Sequence, residues 1–232
     1  MSIYLQETDL LNYSHPNMSK LIQNRQWECM SNKEKILSIY NFVRDEILFG
    51  YNRADCIQAS EVLQNGYGQC NTKGVLFMAL LRAVGVPCRM HGFAIDKKLQ
   101  KGAMRGWYYK LSPREIIHSW VEVFYEDKWL NIEGFILDIP YLTKLQQKFR
   151  DCTGSFCGYG VATNRFQNPE VYWDENDTYV QKEGIIRDFG IYDSPDAFFS
   201  VHQQRLSPLR KAIFSKLVRH LMNRNVKRIR RR

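Results

Sequence analysis

Cys70 is the residue best placed to do covalent chemistry. It follows Gly66-Tyr67-Gly68-Gln69 and precedes Val75, Leu76, Ala79, Leu80 and Ala83, which recur at helical spacing. That pattern predicts a buried helix with Cys70 at its N-terminus. Unpaired backbone N–H groups and the positive end of the helix dipole favour thiolate there, so the pKa is expected below the free value of about 8.5. The same N–H groups could hold the oxyanion of an acyl intermediate. The plain alternative is a small core cysteine at a helix start.

A base is needed to partner such a thiol. His118 opens the run His118-Ser119-Trp120-Val121-Glu122-Val123-Phe124-Tyr125, whose aromatic and β-branched content suits a strand. Glu126-Asp127 reads as a turn and Lys128–Phe135 as the return strand. A two- or four-residue loop pairs positions whose numbers total 253, so Trp120 faces Glu133. His118 then lies on the diagonal of the same face, about 7–8 Å away between backbones. A three-residue loop would turn Glu133 to the opposite face. With the first register, Cys70, His118 and Glu133 form a nucleophile, a proton carrier and an orienting carboxylate.

These pieces, in this order, resemble the transglutaminase-like superfamily. The resemblance rests on Gly66-Tyr67-Gly68-Gln69-Cys70, on the helix to Leu81-Arg82-Ala83-Val84-Gly85-Val86-Pro87, on His118-Ser119-Trp120-Val121-Glu122-Val123, and on Trp129-Leu130-Asn131-Ile132-Glu133. It spans residues 33–138. It implies an α+β, papain-like fold in which the nucleophile-bearing helix packs on an antiparallel sheet carrying the histidine and the acid. By position, Cys70 matches the family's nucleophile and His118 its histidine. Glu133 stands where the family most often has aspartate. That departure puts the third member in doubt and leaves Asp138 as the fallback acid. Gln69 is a candidate oxyanion donor, Trp120 and Tyr67 are candidate cleft-lining residues, and Glu122 is expected to support structure.

The implied activity is that of a cysteine-dependent amide or peptide-bond hydrolase or acyl transferase working through a thioester. The alternative is a catalytically vestigial binding or scaffold module on the same fold, for which the Glu133 departure is the best support. Hydrolysis is preferred over cross-linking, because an indiscriminate cross-linker would be damaging in a reducing cytosol. The expected partner is a peptide, protein or small amide substrate, with residues 139–204 either supplying a pocket or packing as a plain extension.

The elements that must position these residues are partly legible. Ser31 and Glu34 form a capping-box signature before Ile36, Leu37, Ile39, Tyr40, Val43 and Ile47, which predicts a helix over 33–48. Residues 58–64 read as a short helix. Gly85 and Pro87 end the nucleophile helix. Residues 88–94 read as a strand, 96–106 as a polar loop, and 143–150 as a helix. Residues 151–200 look irregular. Four segments result: 1–32 as an N-terminal segment, 33–138 as the core, 139–204 as an extension, and 205–232 as a basic amphipathic helix with a tail.

Composition sets the outer bounds. The 232 residues are 44% hydrophobic and 25% charged, which excludes a disordered or collagen-like chain and is ample for a core. The net charge of +9 resides at one end: residues 205–232 hold eleven basic residues and no acidic one, and the rest has 22 basic against 24 acidic. Leu209, Ile213, Leu217 and Leu221 recur every four residues there, predicting an apolar stripe. That stripe is expected to pack on the body, leaving Lys227–Arg232 as a solvated tail; contact with an anionic membrane surface or an acidic partner is the alternative. Nucleic acid is not expected, since no base-reading motif accompanies the charge. No cofactor is implied. Cys152 and Cys157 have the spacing of a zinc half-site but no partner pair, so no metal is expected. The opening residues lack a basic then apolar leader pattern, so a reducing, cytoplasmic setting is expected.

Overall fold

The computed structural model describes residues 2–231 and combines helices with antiparallel sheet. The first half contains α1 (Pro16–Arg25), α2 (Asn32–Asn41), β1 (Leu48–Phe49), α3 (Ala59–Asn65), β2 (Tyr67–Gly68) and α4 (Cys70–Ala83). Then come β3 (Cys88–Asp96), α5 (Gly106–Lys110), β4 (Glu115–Tyr125), β5 (Lys128–Ile132) and α6 (Ile139–Lys148). The last third holds β6 (Phe156–Gly158), β7 (Val161–Thr163), β8 (Ile185–Tyr192), α7 (Pro195–Val201), α8 (Pro208–Ile213) and α9 (Arg219–Arg231). No helix among the described residues is long and apolar enough to cross a membrane.

The capping box predicted for α2 is formed: Ser31 N–H donates to Glu34 Oε2 at 2.9 Å and Glu34 N–H to Ser31 Oγ at 3.4 Å. The α-helix stops at Asn41, and one π-helical turn, Phe42–Glu46, carries the chain into β1. Helix α4 is the centre of the molecule. Every residue from Cys70 to Arg82 is buried; the run Val75–Leu81 is apolar on all sides, and the polar residues Asn71, Thr72, Lys73 and Arg82 are buried at its two ends. It ends where Gly85 takes φ +81°, a left-handed conformation that glycine adopts without steric cost.

The main sheet has the order β5-β4-β3-β8, antiparallel throughout. Glu126 and Asp127 form a two-residue turn with φ of 47° and 59°, the geometry that matches the twist of a hairpin. The register follows from it: Tyr125 pairs with Lys128 and Val121 with Ile132, the pairing in which the numbers total 253. Val121 faces α4, near Gly74. Gly92 in β3 is needed for close approach, since a Cβ there would overlap the Phe198 ring of α7.

The segment expected to be irregular contributes more than loops. Its strand β8 pairs with β3 and completes the sheet. The stretch expected to be a polar loop starts later than 96, because β3 continues to Asp96; it contains a 3-10 turn at Lys97–Gln100, and α5 begins where it ends.

The basic C-terminal segment departs from expectation in two ways. Leu209, Ile213 and Leu217 are 70%, 39% and 49% exposed, whereas Val218, Met222, Val226 and Ile229 are buried. The reason is a π-helical turn at Phe214–Val218, whose extra residue rotates the face that meets the body. The end is not a solvated tail either. Arg230 donates to both Asp138 oxygens at 2.8 and 2.6 Å and to Phe49 O at 3.0 Å; Arg232 lies outside the described residues. Asn223 reinforces the dock by bonding both the N–H and the carbonyl of Tyr51, at 2.7 and 3.0 Å.

Candidate active site

Cys70 occupies the first turn of α4, as the sequence predicts. The approach to it is tight. A Cβ at Gly68 would lie 2.7 Å from Thr72 Oγ1 and 2.9 Å from Lys73 Cγ, so only glycine fits. Thr72 Oγ1 accepts the Gln69 N–H at 3.1 Å and donates to Asn52 Oδ1 at 2.6 Å, which fixes the turn before the cysteine. Lys73, three residues on, is buried and donates to Arg44 O and Ile136 O at 3.1 and 3.0 Å. Burial pulls its pKa down to about 7, against the opposing charges of Asp138 and Asp45.

The hairpin brings His118 and Glu133 together. Both are fully buried, and His118 Nε2 lies 2.8 Å from Glu133 Oε1. His118 Nδ1 is also buried and has no hydrogen-bond partner within the protein. It is the nitrogen left for Cys70, whose charge acts on the ring. Burial by itself would lower the His118 pKa. The charge of Cys70, followed by the hydrogen bond and charge of Glu133, outweighs it and raises the value to about 10.

Glu133 is held at its other oxygen. Oε2 accepts three backbone N–H groups, from Val180 and Gln181 at 2.8 Å and from Lys182 at 3.1 Å. Its own N–H and that of Gly134 reach Thr178 Oγ1 at 3.2 and 3.1 Å. The longer side chain is thus clamped in place by residues 178–182. That cradle is made of main chain, so no residue type in the sequence announces it. Asp138, the fallback acid, serves elsewhere. It caps α6 through Tyr141 N–H at 2.9 Å, accepts Phe49 N–H at 2.9 Å, and pairs with Arg230. Burial works to raise its pKa, but the bonds and charge of Arg230 prevail and hold it below the usual carboxylate range.

Asn71 was not singled out by sequence, yet it ties the two halves of the site. Its Nδ2 donates to Ile117 O at 3.1 Å, and its Oδ1 accepts from Ser119 Oγ at 2.9 Å. The residue after Cys70 is thereby fixed to both neighbours of His118. Asp55 is a second such residue. Burial raises its pKa, against hydrogen bonds from Asn71 and Gln69, and it lines the same cavity as Cys70.

That cavity has a volume of about 520 Å³. Gln69 also lines it. Gln69 Oε1 is bound by Asn52 N–H at 2.9 Å, and Nε2 donates to Asp55 Oδ1 at 3.2 Å, leaving one amide hydrogen. Trp120 and Tyr67, expected to line the cleft, do not. Trp120 packs 4.1 Å from Phe93 and 5.6 Å from Tyr179, ring centroid to centroid. Tyr67 meets the C-terminal helix, its hydroxyl accepting from Arg219 at 3.3 Å. Glu122 has the structural role expected of it, bound to Arg89 at 2.6 Å and His91 at 2.8 Å. Cys152 gives its thiol to Ser155 O at 3.5 Å, and among the described residues no three His, Cys, Asp or Glu side chains are grouped to hold a metal ion.

The sequence model of the family described as Transglutaminase-like superfamily matches residues 21–134. No curated protein matches the chain. Among solved structures, a candidate cysteine protease from Cytophaga hutchinsonii is similar, with 13% identity and a TM-score of 0.46, over 84% of this chain and 47% of that one. Over residues 21–134 the chain is similar to the transglutaminase-like superfamily.

Proposed function

We propose that the protein is a cysteine-dependent hydrolase of amide or peptide bonds. One observation carries the reading. A fully buried His118 is held by Glu133 through Nε2, while Nδ1 is left to the side chain of Cys70 at the start of a buried helix. Nothing in a purely structural role requires a buried imidazole with one nitrogen held by a carboxylate that three backbone N–H groups fix in place, and the other turned to a thiol.

Chemically, Cys70 Sγ attacks the acyl carbon and the carbonyl π pair moves to oxygen. The oxyanion is held by first-turn N–H groups of α4, with the free amide hydrogen of Gln69 as a further donor. The C–N bond breaks as imidazolium His118 gives its proton to the leaving amine, which leaves a thioester on Cys70. Water then attacks the thioester, and His118 takes its proton. The carboxylic acid departs and the thiolate–imidazolium pair is restored. An amine in place of water would make the reaction acyl transfer. Glu133 does not touch the substrate; it holds the ring and stabilises the imidazolium.

The test is acyl-enzyme trapping by mass spectrometry with activated esters and amides. Wild type is expected to show a mass increase on the Cys70 peptide and turnover of the amide. Cys70→Ser is expected to show neither, and undiminished turnover by that variant would refute the assignment.

A further inference from the structure

The walls of the cavity at Cys70 point to a class of substrate. They come mainly from residues 100–117 and from the C-terminal segment, not from the core motif. Met104, Leu111, Ile116, Ile117, Phe214 and Met222 give the lining an apolar character. A benzene-sized group fills a cavity of about 150 Å³. One aromatic or branched side chain would therefore leave most of the 520 Å³ here empty.

Charged groups, Arg53, Asp55, Arg210 and Lys211, also line this space, but most of its uncharged polar side chains are already bound within the protein. Ser112 Oγ donates to Tyr109 O at 2.7 Å, and Ser215 Oγ to Ala212 O at 3.3 Å. Gln203 donates to Phe199 O at 3.0 Å. Gln204 uses both ends of its amide, donating to Glu115 O and accepting from Ile117 N–H, each at 3.1 Å. Gln100 Oε1 accepts from the Tyr51 hydroxyl at 2.5 Å. A peptide threaded here would bury N–H and C=O groups with few partners, which is costly for each group left unpaired. An aliphatic chain makes no such demand.

We propose that this cavity holds the acyl chain of the substrate, and that the protein hydrolyses N-acyl amides whose acyl group is a medium or long aliphatic chain. The proposal rests on Cys70 being the nucleophile, and it assigns the basic C-terminal helix a role as one wall of the acyl site. Val218 and Met222 carry that wall, and the Arg230–Asp138 pair holds the far end of the helix to the body.

The experiment uses the full chain and alkyl chloromethyl ketones, R–CO–CH2Cl, with R from methyl to nonyl, below their micellar concentrations. Thiolate displaces chloride, and labelling at Cys70 is followed by peptide mass. The labelling constant is expected to rise by up to about fourfold per methylene, the transfer value for a buried CH2, until the cavity is filled. Met222→Trp is expected to lower the nonyl-to-methyl ratio at least tenfold. Leu111→Asp, at a position 61% exposed and so tolerant of change, is expected to lower the same ratio. Equal labelling at every chain length would overturn the acyl site while leaving the nucleophile in place. If no ketone labels Cys70, the nucleophile reading fails. Calorimetry of N-decylacetamide with Cys70→Ala then decides the cavity separately: saturable binding supports the apolar site, and no heat overturns it.

Discussion

The core that ends near residue 134 and the C-terminal third contribute to the site in different ways. The core supplies the groups that the proposed reaction uses, each a distinctive side chain at a distinctive place: Cys70 at a helix start and His118 and Glu133 across a two-residue hairpin. The C-terminal third supplies none of them. It gives main-chain donors to Glu133, a strand to the sheet, and one wall of the cavity. Chemistry and its supports are thus encoded separately. The reacting groups need particular residue types, whereas the cradle needs only a path of the backbone and the wall only apolar bulk at the right phase.

That division can be broken from either side. The largest loss is expected for Glu133→Gln. Its Oε1 can still accept the three backbone N–H groups, which turns the NH2 toward His118 Nε2. The ring must then carry its proton on Nδ1, facing the thiol, and loses its carboxylate. A fall in kcat/KM of about 10²–10⁴-fold with little change in Tm is expected, as for the corresponding change in other triads. An equal loss of stability and rate would instead make Glu133 a folding residue. Next is Asn71→Ala, which releases the nucleophile turn from both neighbours of His118. A fall in kcat of about tenfold with KM little changed is expected in steady-state kinetics, because small displacements of reacting groups are expensive. Smallest for the chemistry is Arg230→Met. It leaves the Asp138 carboxylate buried with two backbone donors and only the charge of Lys73 to oppose its own, and about 2–4 kcal/mol of stability should be lost in urea unfolding. Because this pair keeps the Asp138 pKa low, its contribution is present above the unfolded carboxylate range and fades as pH falls through the folded value. Wild type and Arg230→Met should therefore converge in stability toward strongly acid pH.

How much of this was legible follows the same line. The nucleophile helix was visible because its apolar run is continuous and Gly85 ends it. The His118–Glu133 pairing was visible because Glu126-Asp127 can form a two-residue turn, which fixes the register. Strand β8 was not. It lies at a sheet edge, with Arg187 and Asp188 exposed, so it shows no apolar alternation. The phase of the C-terminal helix was misread because a π turn cannot be seen in a period of four. The Glu133 cradle is backbone and leaves no trace in composition. Asn71 stood beside Cys70 in plain view, but its role depends on where the strand around His118 falls in space.

The most direct test of the Cys70–His118 pair is the rate of iodoacetamide labelling at Cys70 as a function of pH, in wild type and His118→Ala. A His118 pKa raised to about 10 means that imidazolium persists beside the sulfur through neutral pH and is lost as pH climbs through that value. Wild type should therefore label at least tenfold faster than the variant at pH 6.5, and the gap should close above pH 10. Equal rates for the two proteins at pH 6.5 would contradict the activated pair and, with it, the catalytic reading of the site.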